Sequence, residues 1–345
     1  RWGRKGKALS ALLSNGVANE HERCVSIMEQ MHPPPSRAVV PPEDFGPGLE
    51  ADIKQMGKAL DKLFSNDFSS MDFSGWSMDL LRPVRGRTEI MGPFKDLCLA
   101  ITNCDVPPSV YWLITPGALV ALYKLDKEIE DARAAQGLDP KLRPINKSAL
   151  LWKVATQVAI MHPEYEAAAD EMQPLQLGLG AKFGMTRMAL TAQDYYAQGW
   201  SNGEMDAENG FNRASRQAML EAIKRECPHM TKLFWMGYCS HSPLVLLRRG
   251  NGFVVLRSTE ESRMGDKFGS FAFCLAVHPA YLEIKRRCPN VVFQAATDDL
   301  KGYARDPLDL AAMFPIAAEA LQRHAGVVIN PTKSAILLPQ GHRGL

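Results

Sequence analysis

The sequence predicts an α+β chain in which helices cover one face of an antiparallel sheet, and three observations carry that prediction. From about residue 200 onward, short β-rich runs alternate with clear helical periodicities in the order β, α, β-hairpin, α, β-hairpin, α, β. Upstream of that point the periodicity is mainly helical and is punctuated by Pro- and Gly-dense segments. The 345 residues, 46% hydrophobic and 23% charged, supply a substantial core for one large or two moderate domains.

The elements follow in order. A short helical piece precedes PPPSRAVVPPEDFGPG at 33–48, which reads as an extended linker. In LEADIKQMGKALDKLF, the spacing of Leu49, Ile53, Met56, Leu60 and Leu63 predicts an amphipathic helix. Residues 65–95, rich in Ser, Asp, Gly and Arg, read as loop. Helical patterns return at 116–136 and 148–162, interrupted by GLDPKLRPI. A helix at 214–226 takes Ser215 as its cap, and LVLLRRGNGFVVLRS predicts a hairpin around Gly250, Asn251 and Gly252. After a helix at 268–287, NVVFQAATDDLKGYA sets Asp298 and Asp299 on a tight turn between two β-like runs. The helix at 307–325 ends at Gly326, a natural C-cap, and VVINPTKSAIL predicts a last hairpin around Asn330 and Pro331.

Composition narrows the function classes. No apolar run approaches a membrane span and no secretory signal is present, so an intracellular protein, nuclear or cytoplasmic, with no membrane partner is expected. Seven scattered Cys without a CxxC pair read as reduced thiols, mostly core. The chain begins at Arg1 and not Met, which predicts a fragment. Net charge is only +2, but the clusters Arg1, Arg4, Lys5, Lys7, then Arg82, Arg85, Arg87, and Lys285, Arg286, Arg287 are candidates to track phosphates. GLGAKFG at 178–184 lacks the GxGxxG spacing, and no GxxxxGK[ST] exists, so neither a dinucleotide site nor a P-loop is predicted. His229, His241, His278 and His324 show no partner spacing and read as structural or exposed.

The acidic residues are more telling. Asp206 falls at a strand end, and adjacent antiparallel strands can bring it beside the Asp298/Asp299 turn. Carboxylates that converge repel one another unless a cation neutralises them, and two Mg²⁺ ions bridged by such residues serve in-line phosphoryl transfer. A plain polar turn is the alternative for Asp-Asp on its own.

The context resembles one family. MDAENGFNRASR, with Asp206, Asn209, Phe211, Asn212, Ser215 and Arg216, resembles the first palm motif of reverse transcriptases of the non-LTR retroelement kind, DxxNAFNxxSR, with Gly210 in place of Ala. Ser258, Met264, Gly265, Asp266 and Gly269 resemble SxxGxxQGDPxG; Ala296 to Asp299 stand where YxDD is expected; Gly326, Asn330 and Lys333 resemble GLxxNxxKS. Upstream, Arg143, Pro144 and Ile145 match the RPI of the fingers, Lys124 precedes them, and Gln176 and Gly178 match the segment between fingers and palm. KALSALLSNGVA resembles the leader of these elements. Three positions depart from the pattern: Ala296 replaces the aromatic of YxDD, Met264 the Gln before Gly-Asp, and Glu261 the earlier Gly.

The resemblance implies a right-hand polymerase: a helical leader and Pro-rich linker (1–48), an N-terminal extension (49–115), fingers (116–200) and a palm (201–345), with the thumb missing or truncated. It implies an RNA-directed DNA polymerase using two Mg²⁺ or Mn²⁺ ions, an RNA template, a DNA primer and dNTP. Asp206 and Asp298 are the implied metal ligands, with the carbonyl of Ala207 beside them, Asp299 as a structural or electrostatic neighbour and Lys333 as candidate proton donor to pyrophosphate. Arg143 and Lys124 are implied triphosphate contacts, Phe211 a gate against the ribose 2′-hydroxyl, and Gly265 a point of close backbone approach to template or nucleotide. The altered flanking residues support one alternative, a catalytically inactive nucleic-acid-binding remnant on the same fold; an RNA-dependent RNA polymerase, which shares the palm but should not carry Phe211 at its gate, is the second.

Overall fold

The computed structural model describes residues 16–65, 71–239, 242–248 and 252–339. The Arg1–Lys7 cluster, most of KALSALLSNGVA, the tip of the Gly250 hairpin and His241 lie outside the described residues.

The N-terminal half begins with α1 (Cys24–Met31), α2 (Ile53–Phe64), α3 (Met78–Leu81), α4 (Thr88–Thr102) and α5 (Tyr111–Ile114). Next come β1 (Gly117–Tyr123), α6 (Lys127–Ala135), β2 (Leu142–Ser148), α7 (Leu150–Ala159), α8 (Pro163–Glu171) and α9 (Gly184–Ala197). The C-terminal half contains β3 (Ser201–Ala207), α10 (Gly210–Arg213), α11 (Arg216–Glu226), α12 (Thr231–Phe234), β4 (Pro243–Arg248) and β5 (Gly252–Arg257). It closes with α13 (Lys267–Arg287), β6 (Val292–Ala296), β7 (Asp299–Ala304), α14 (Pro307–Ala325) and β8 (Ile329–Leu337).

The α+β expectation holds, and the strands form two sheets. One has the order β6-β7-β3-β8 with every pair antiparallel. Along β3, Ser201, Gly203, Met205 and Ala207 face the core, so the period of two turns Glu204 and Asp206 to the open face. Behind the sheet lies α13, apolar almost all round, with Phe268, Phe271, Phe273, Val277, Tyr281 and Ile284 buried; only a helix enclosed by neighbours tolerates that pattern. Each such aromatic contributes about 2 kcal/mol by leaving water. The helices at 216–226 and 307–325 keep their expected caps, Ser215 accepting from the Ala218 N–H and Gly326 in the left-handed region.

The second sheet, β2-β1-β4-β5, corrects two sequence expectations, and the C-terminal strand of the first sheet a third. Residues 117–123, expected within a helix, form a central strand that pairs antiparallel with β2 and parallel with β4. Pairing with a distant segment overrode a periodicity short enough to suit either element. The expected hairpin β4–β5 is present, but it completes this sheet and not the one carrying Asp206. At the C-terminus a single strand, β8, replaces the expected hairpin, and Pro331 is tolerated there because β8 is an edge strand. The stretch 65–95 is also not all loop. Helices start at Met78 and Thr88, the latter running through Gly92-Pro93 with Met91, Cys98 and Ile101 buried.

The cysteines among the described residues are free, six of them buried and Cys239 partly so. Among those residues no helix is long and apolar enough to cross a membrane.

Candidate nucleotidyl-transfer site

The two sheets converge on the open face of β3. Asp206 lies opposite Asn330 of β8, after an irregularity in pairing between Glu204 and Asp206, and its side chain is about one third exposed at 34%. Its backbone N–H points to Ser334 Oγ at 3.4 Å, and Lys333 Nζ donates to Asp206 Oδ2 at 3.0 Å. Lys333 and Asp206 are therefore brought together as an ion pair.

Asp298 sits on the β6–β7 turn, whose geometry is set by Thr297 in the left-handed region at φ 58°. That conformation strains a β-branched residue and needs external support. Gln176, fully buried, supplies it: Oε1 accepts from Thr297 N at 2.8 Å and from Gly178 N at 2.8 Å, while Nε2 donates to the Thr297 carbonyl at 3.2 Å. Tyr281 OH donates to the same carbonyl at 2.8 Å. At Gly178 a Cβ would lie 2.6 Å from Thr297 N, so only glycine fits beneath the turn.

The carboxylates feel one another. Burial pushes Asp298 above the ordinary carboxylate range and the Asp206 charge adds to the rise, against a hydrogen bond from Thr297 Oγ1 and the more distant Lys124. Burial also raises Asp299, followed by the charges of Asp298 and Asp206. From the second sheet, Lys124 directly follows β1 and Arg143 lies exposed on β2. The Lys124 ammonium is lowered by burial, then by the Lys333 and Arg143 cations, with Asp206 opposing. Six predicted residues thus share one electrostatic neighbourhood: three carboxylates facing Lys124, Arg143 and Lys333.

The donor chemistry suits a hard divalent cation. Asp206 and Asp298 offer oxygen ligands, the Asp206 carboxylate already receives a cationic group in Lys333, and the elevation of Asp298 is a cost that added positive charge would relieve. Among the described residues no group of three or more His, Cys, Asp or Glu forms a metal-holding cluster, so these two carboxylates and the neighbouring Ala207 carbonyl constitute the candidate set.

Other predicted residues are placed differently. Phe211, in α10, is buried and stacks on Phe273 with ring centroids 4.7 Å apart and an interplanar angle of 18°. Gly265 (φ 108°) does make a close backbone approach, but to its own chain: a Cβ there would lie 2.4 Å from the Asn146 carbonyl, and Asn146 N donates to Met264 O at 2.8 Å. Ala296 is buried among Leu177 and Met188, which fill the space beneath the turn. The basic clusters are largely tied internally, Arg82 to Asp79, Arg85 to Asp61 and Arg287 to Glu283 and Glu319. His229 and His324 likewise pair with Glu164 and Glu283.

Two motif residues turn out to be structural partners, and a third partner carried no sequence signal. Asp266 caps α13 by accepting from Phe268 N and also accepts from Trp152 Nε1 and Tyr238 OH, each at 2.8 Å. Arg216, fully buried, donates to the carbonyls of Glu261, Tyr238 and Ser258 and to Ser258 Oγ. His32 reaches Glu261 from the leader. A lone His beside a Pro-rich linker has no local signature that could have identified it.

No family model matches the chain. It is 23% identical over 310 residues to the retrotransposable element SLACS 132 kDa protein of Trypanosoma brucei gambiense, covering 88% of this chain and 24% of that protein. The chain thus spans about a quarter of the relative's length. Among solved structures, telomerase from Candida tropicalis, truncated from its C-terminal domain, aligns with a TM-score of 0.45 and 10% identity over 67% of this chain and 52% of that one. Telomerase from Candida albicans, in complex with a TWJ fragment of telomeric RNA, aligns with a TM-score of 0.47 and 9% identity over 69% and 45%. The ordered motifs and the retroelement relative agree on a reverse-transcriptase-like domain.

Proposed function

We propose that this reverse-transcriptase-like domain is an RNA-directed DNA polymerase of a retroelement, with Asp206, Asp298 and Asp299 at its reaction centre. The observation that carries this reading is the meeting of three carboxylates, brought by β3 and the β6–β7 turn, with three cations from two different sheets. Such a juxtaposition is electrostatically unfavourable for the carboxylates alone and suits a polyanionic, metal-bound substrate.

In the reaction the primer 3′-hydroxyl gives its proton to solvent as its oxygen forms a bond to the α-phosphorus of a dNTP, the bond from that phosphorus to the oxygen bridging to the β-phosphate breaks, and pyrophosphate departs. Mg²⁺ or Mn²⁺, when bound, supplies charge neutralisation for the attacking and departing oxygens. Lys124 and Arg143 attract and orient the triphosphate, Arg143 with a planar guanidinium suited to bidentate phosphate contact. Lys333 holds Asp206 in place and is the candidate acid to give pyrophosphate a proton, a role worth about 10²-fold or more. Phe211, stacked on Phe273, anchors α10 beside the carboxylates, and its ring is the group proposed to exclude a 2′-hydroxyl.

Primer extension on an RNA template tests the reading, with dNTPs and rNTPs supplied separately to wild type, Asp298→Asn and Phe211→Ala. Extension by dNTPs that disappears in Asp298→Asn is the expected result, with rNTP use appearing in Phe211→Ala. Folded wild-type protein that binds RNA yet extends no primer with either metal would instead favour the inactive remnant.

A further inference from the structure

The leader returns across the molecule after α1 and meets the loop 258–266. His32, with only 3% of its side chain exposed, has Nδ1 2.6 Å from the Met28 carbonyl and Nε2 3.1 Å from Glu261 Oε2. The Met28 carbonyl can only accept, and Glu261, which accepts at both oxygens and is held below the ordinary carboxylate range, is a carboxylate that also accepts, so both ring nitrogens carry protons and the ring is an imidazolium. Glu261 occupies the left-handed region at φ 98°, a conformation that disfavours a side chain and persists only where the surroundings over-determine it.

Those surroundings lead to the candidate site. Glu261 Oε2 also accepts from Asn212 Nδ2 at 2.9 Å, and Oε1 accepts from Ser258 Oγ at 2.6 Å. Through the backbone, Glu261 N donates to the Ala214 carbonyl at 3.2 Å and Ser262 N to the Phe211 carbonyl at 2.7 Å. Next to it, Glu260 accepts from Arg216 N and from Ser36 N, each at 2.6 Å. The leader is therefore fastened at two points to consecutive glutamates that grip α10 and the start of α11. On the far side of α10, a Cβ at Gly210 would lie 3.1 Å from Asp298 Cβ, so that short helix is held between the loop and the catalytic turn.

We infer that His32 is a positioning residue: as an imidazolium it fastens the leader to Glu261 and, through Asn212 and the Phe211 carbonyl, fixes the Gly210–Arg213 segment against Asp298. The consequence for nucleotide use rests on the polymerase reading above, whereas the clamp itself does not.

Besides one another, the charged group facing His32 and Glu261 is Arg216 from α11; Arg216 is in turn faced by Arg263 from the loop and by Tyr238 and Cys239 from the segment after α12, and its backbone N–H by Glu260. Burial opposes the His32 charge, but Glu261 outweighs it and holds the imidazole above its ordinary range. Burial alone would raise Glu261; His32, Arg216 and Ser258 reverse this and hold it below the ordinary carboxylate range. The signs follow by linkage. Stabilisation from His32 is fully present below the ordinary His value of about 6.5 and is lost as pH rises through its folded value. Stabilisation from Glu261 is present above the ordinary carboxylate value of about 4.3 and is lost as pH falls through its folded value.

The test uses the whole chain. Nitrogen-15 NMR of the His rings, with the His32 signal assigned by its loss in His32→Gln, should show an imidazolium persisting above about pH 6.5; a neutral His32 ring at pH 6 would overturn the inference. Limited proteolysis within 33–48 reads the clamp without any polymerase activity. Wild type should be cleaved faster as pH rises through the His32 transition, and His32→Gln should be cleaved about tenfold faster at pH 6. Glu261→Gln keeps the shape and lets a neutral imidazole accept an amide N–H, so its cleavage should stay slow and lose its pH dependence; equal pH-dependent cleavage in all three proteins would overturn the clamp. With primer extension established, His32→Gln should raise the dNTP KM about tenfold with kcat changed far less, whereas an unchanged KM with faster proteolysis would confine His32 to a structural role.

Discussion

The loop 258–266 and the turn 297–299 both gather ionised side chains, and they treat charge in opposite ways. Around the loop, Arg216, Glu261 and His32 are deeply buried but matched: Arg216 meets carbonyls and a hydroxyl, and Glu261 meets His32, Asn212 and Ser258. At the turn, Asp298 and Asp299 are raised by burial and then by neighbouring carboxylates, Asp206 acting on both and Asp298 on Asp299, with Lys124 opposing the rise at Asp298 and Lys301 at Asp299. A matched buried network fixes one geometry, whereas an unmatched one costs stability and is kept where chemistry needs it. Opposite consequences of mutation follow for the two places.

The largest effect is expected at the unmatched turn. Asp298→Asn should reduce primer extension by at least about 10³-fold, the scale of losing a group that stabilises the charges of the reaction. The same change should leave the protein more stable. A carboxylate raised on folding contributes stability fully present below the ordinary value of about 3.9 and lost as pH rises through its folded value, so at neutral pH its ionised form opposes folding. Calorimetry at pH 7 should find Tm higher by roughly 2 °C, with the difference vanishing toward pH 4. A lower Tm at pH 7 would mean that the turn is matched after all.

At the loop the sign reverses. Arg216→Met removes one side of a buried charge network and leaves Glu261 with His32 as its charged partner, so urea unfolding should report a loss of about 3–5 kcal/mol. A loss below about 1 kcal/mol would erase the distinction between the two regions. Gln176→Leu lies between them in kind and magnitude. It removes a buried amide that serves both Thr297 and Gly178, with a stability cost of about 1–3 kcal/mol and an activity loss of about tenfold to a hundredfold as Asp298 loses its fixed position. A variant as active as wild type would show that Tyr281 alone suffices to hold the turn.

The sequence made the turn legible and the loop nearly invisible, and the reason is locality. Asp298 and Asp299 sit between two adjacent β runs, Gly326 ends its helix by its own backbone freedom, and Asp206 is placed by strand alternation; each follows from a few neighbouring residues. Strand β1 was misread because its partners are β2 and the remote β4, and β8 because an edge strand accepts the Asn-Pro that elsewhere marks a turn. Glu261 registered only as a departure from a Gly, although its backbone retains the left-handed conformation a Gly would take without strain. What holds it there is a His far away in the chain, and no periodicity encodes such a pairing.

The smallest predicted effect gives the finest view of how the two regions touch. Gly210 lies between them, in the segment the loop grips and against the turn. A Cβ there would stand 2.9 Å from Ala207 Cβ and 3.1 Å from Asp298 Cβ. Neither neighbour is the free end of a flexible side chain, so the backbone of α10 or of the turn must yield by a few tenths of an ångström. Gly210→Ala gains helix propensity of up to about 1 kcal/mol while introducing that crowding, so the net change in stability should stay within about 1 kcal/mol. Activity is the more sensitive readout, because displacement acts on Asp298 directly, and a loss of about threefold to tenfold in kcat is expected. An unchanged kcat would mean that the loop, and not the turn, absorbs the shift; where kcat falls, combining the substitution with His32→Gln should recover part of it, since the loop's hold on α10 is the constraint that His32 supplies.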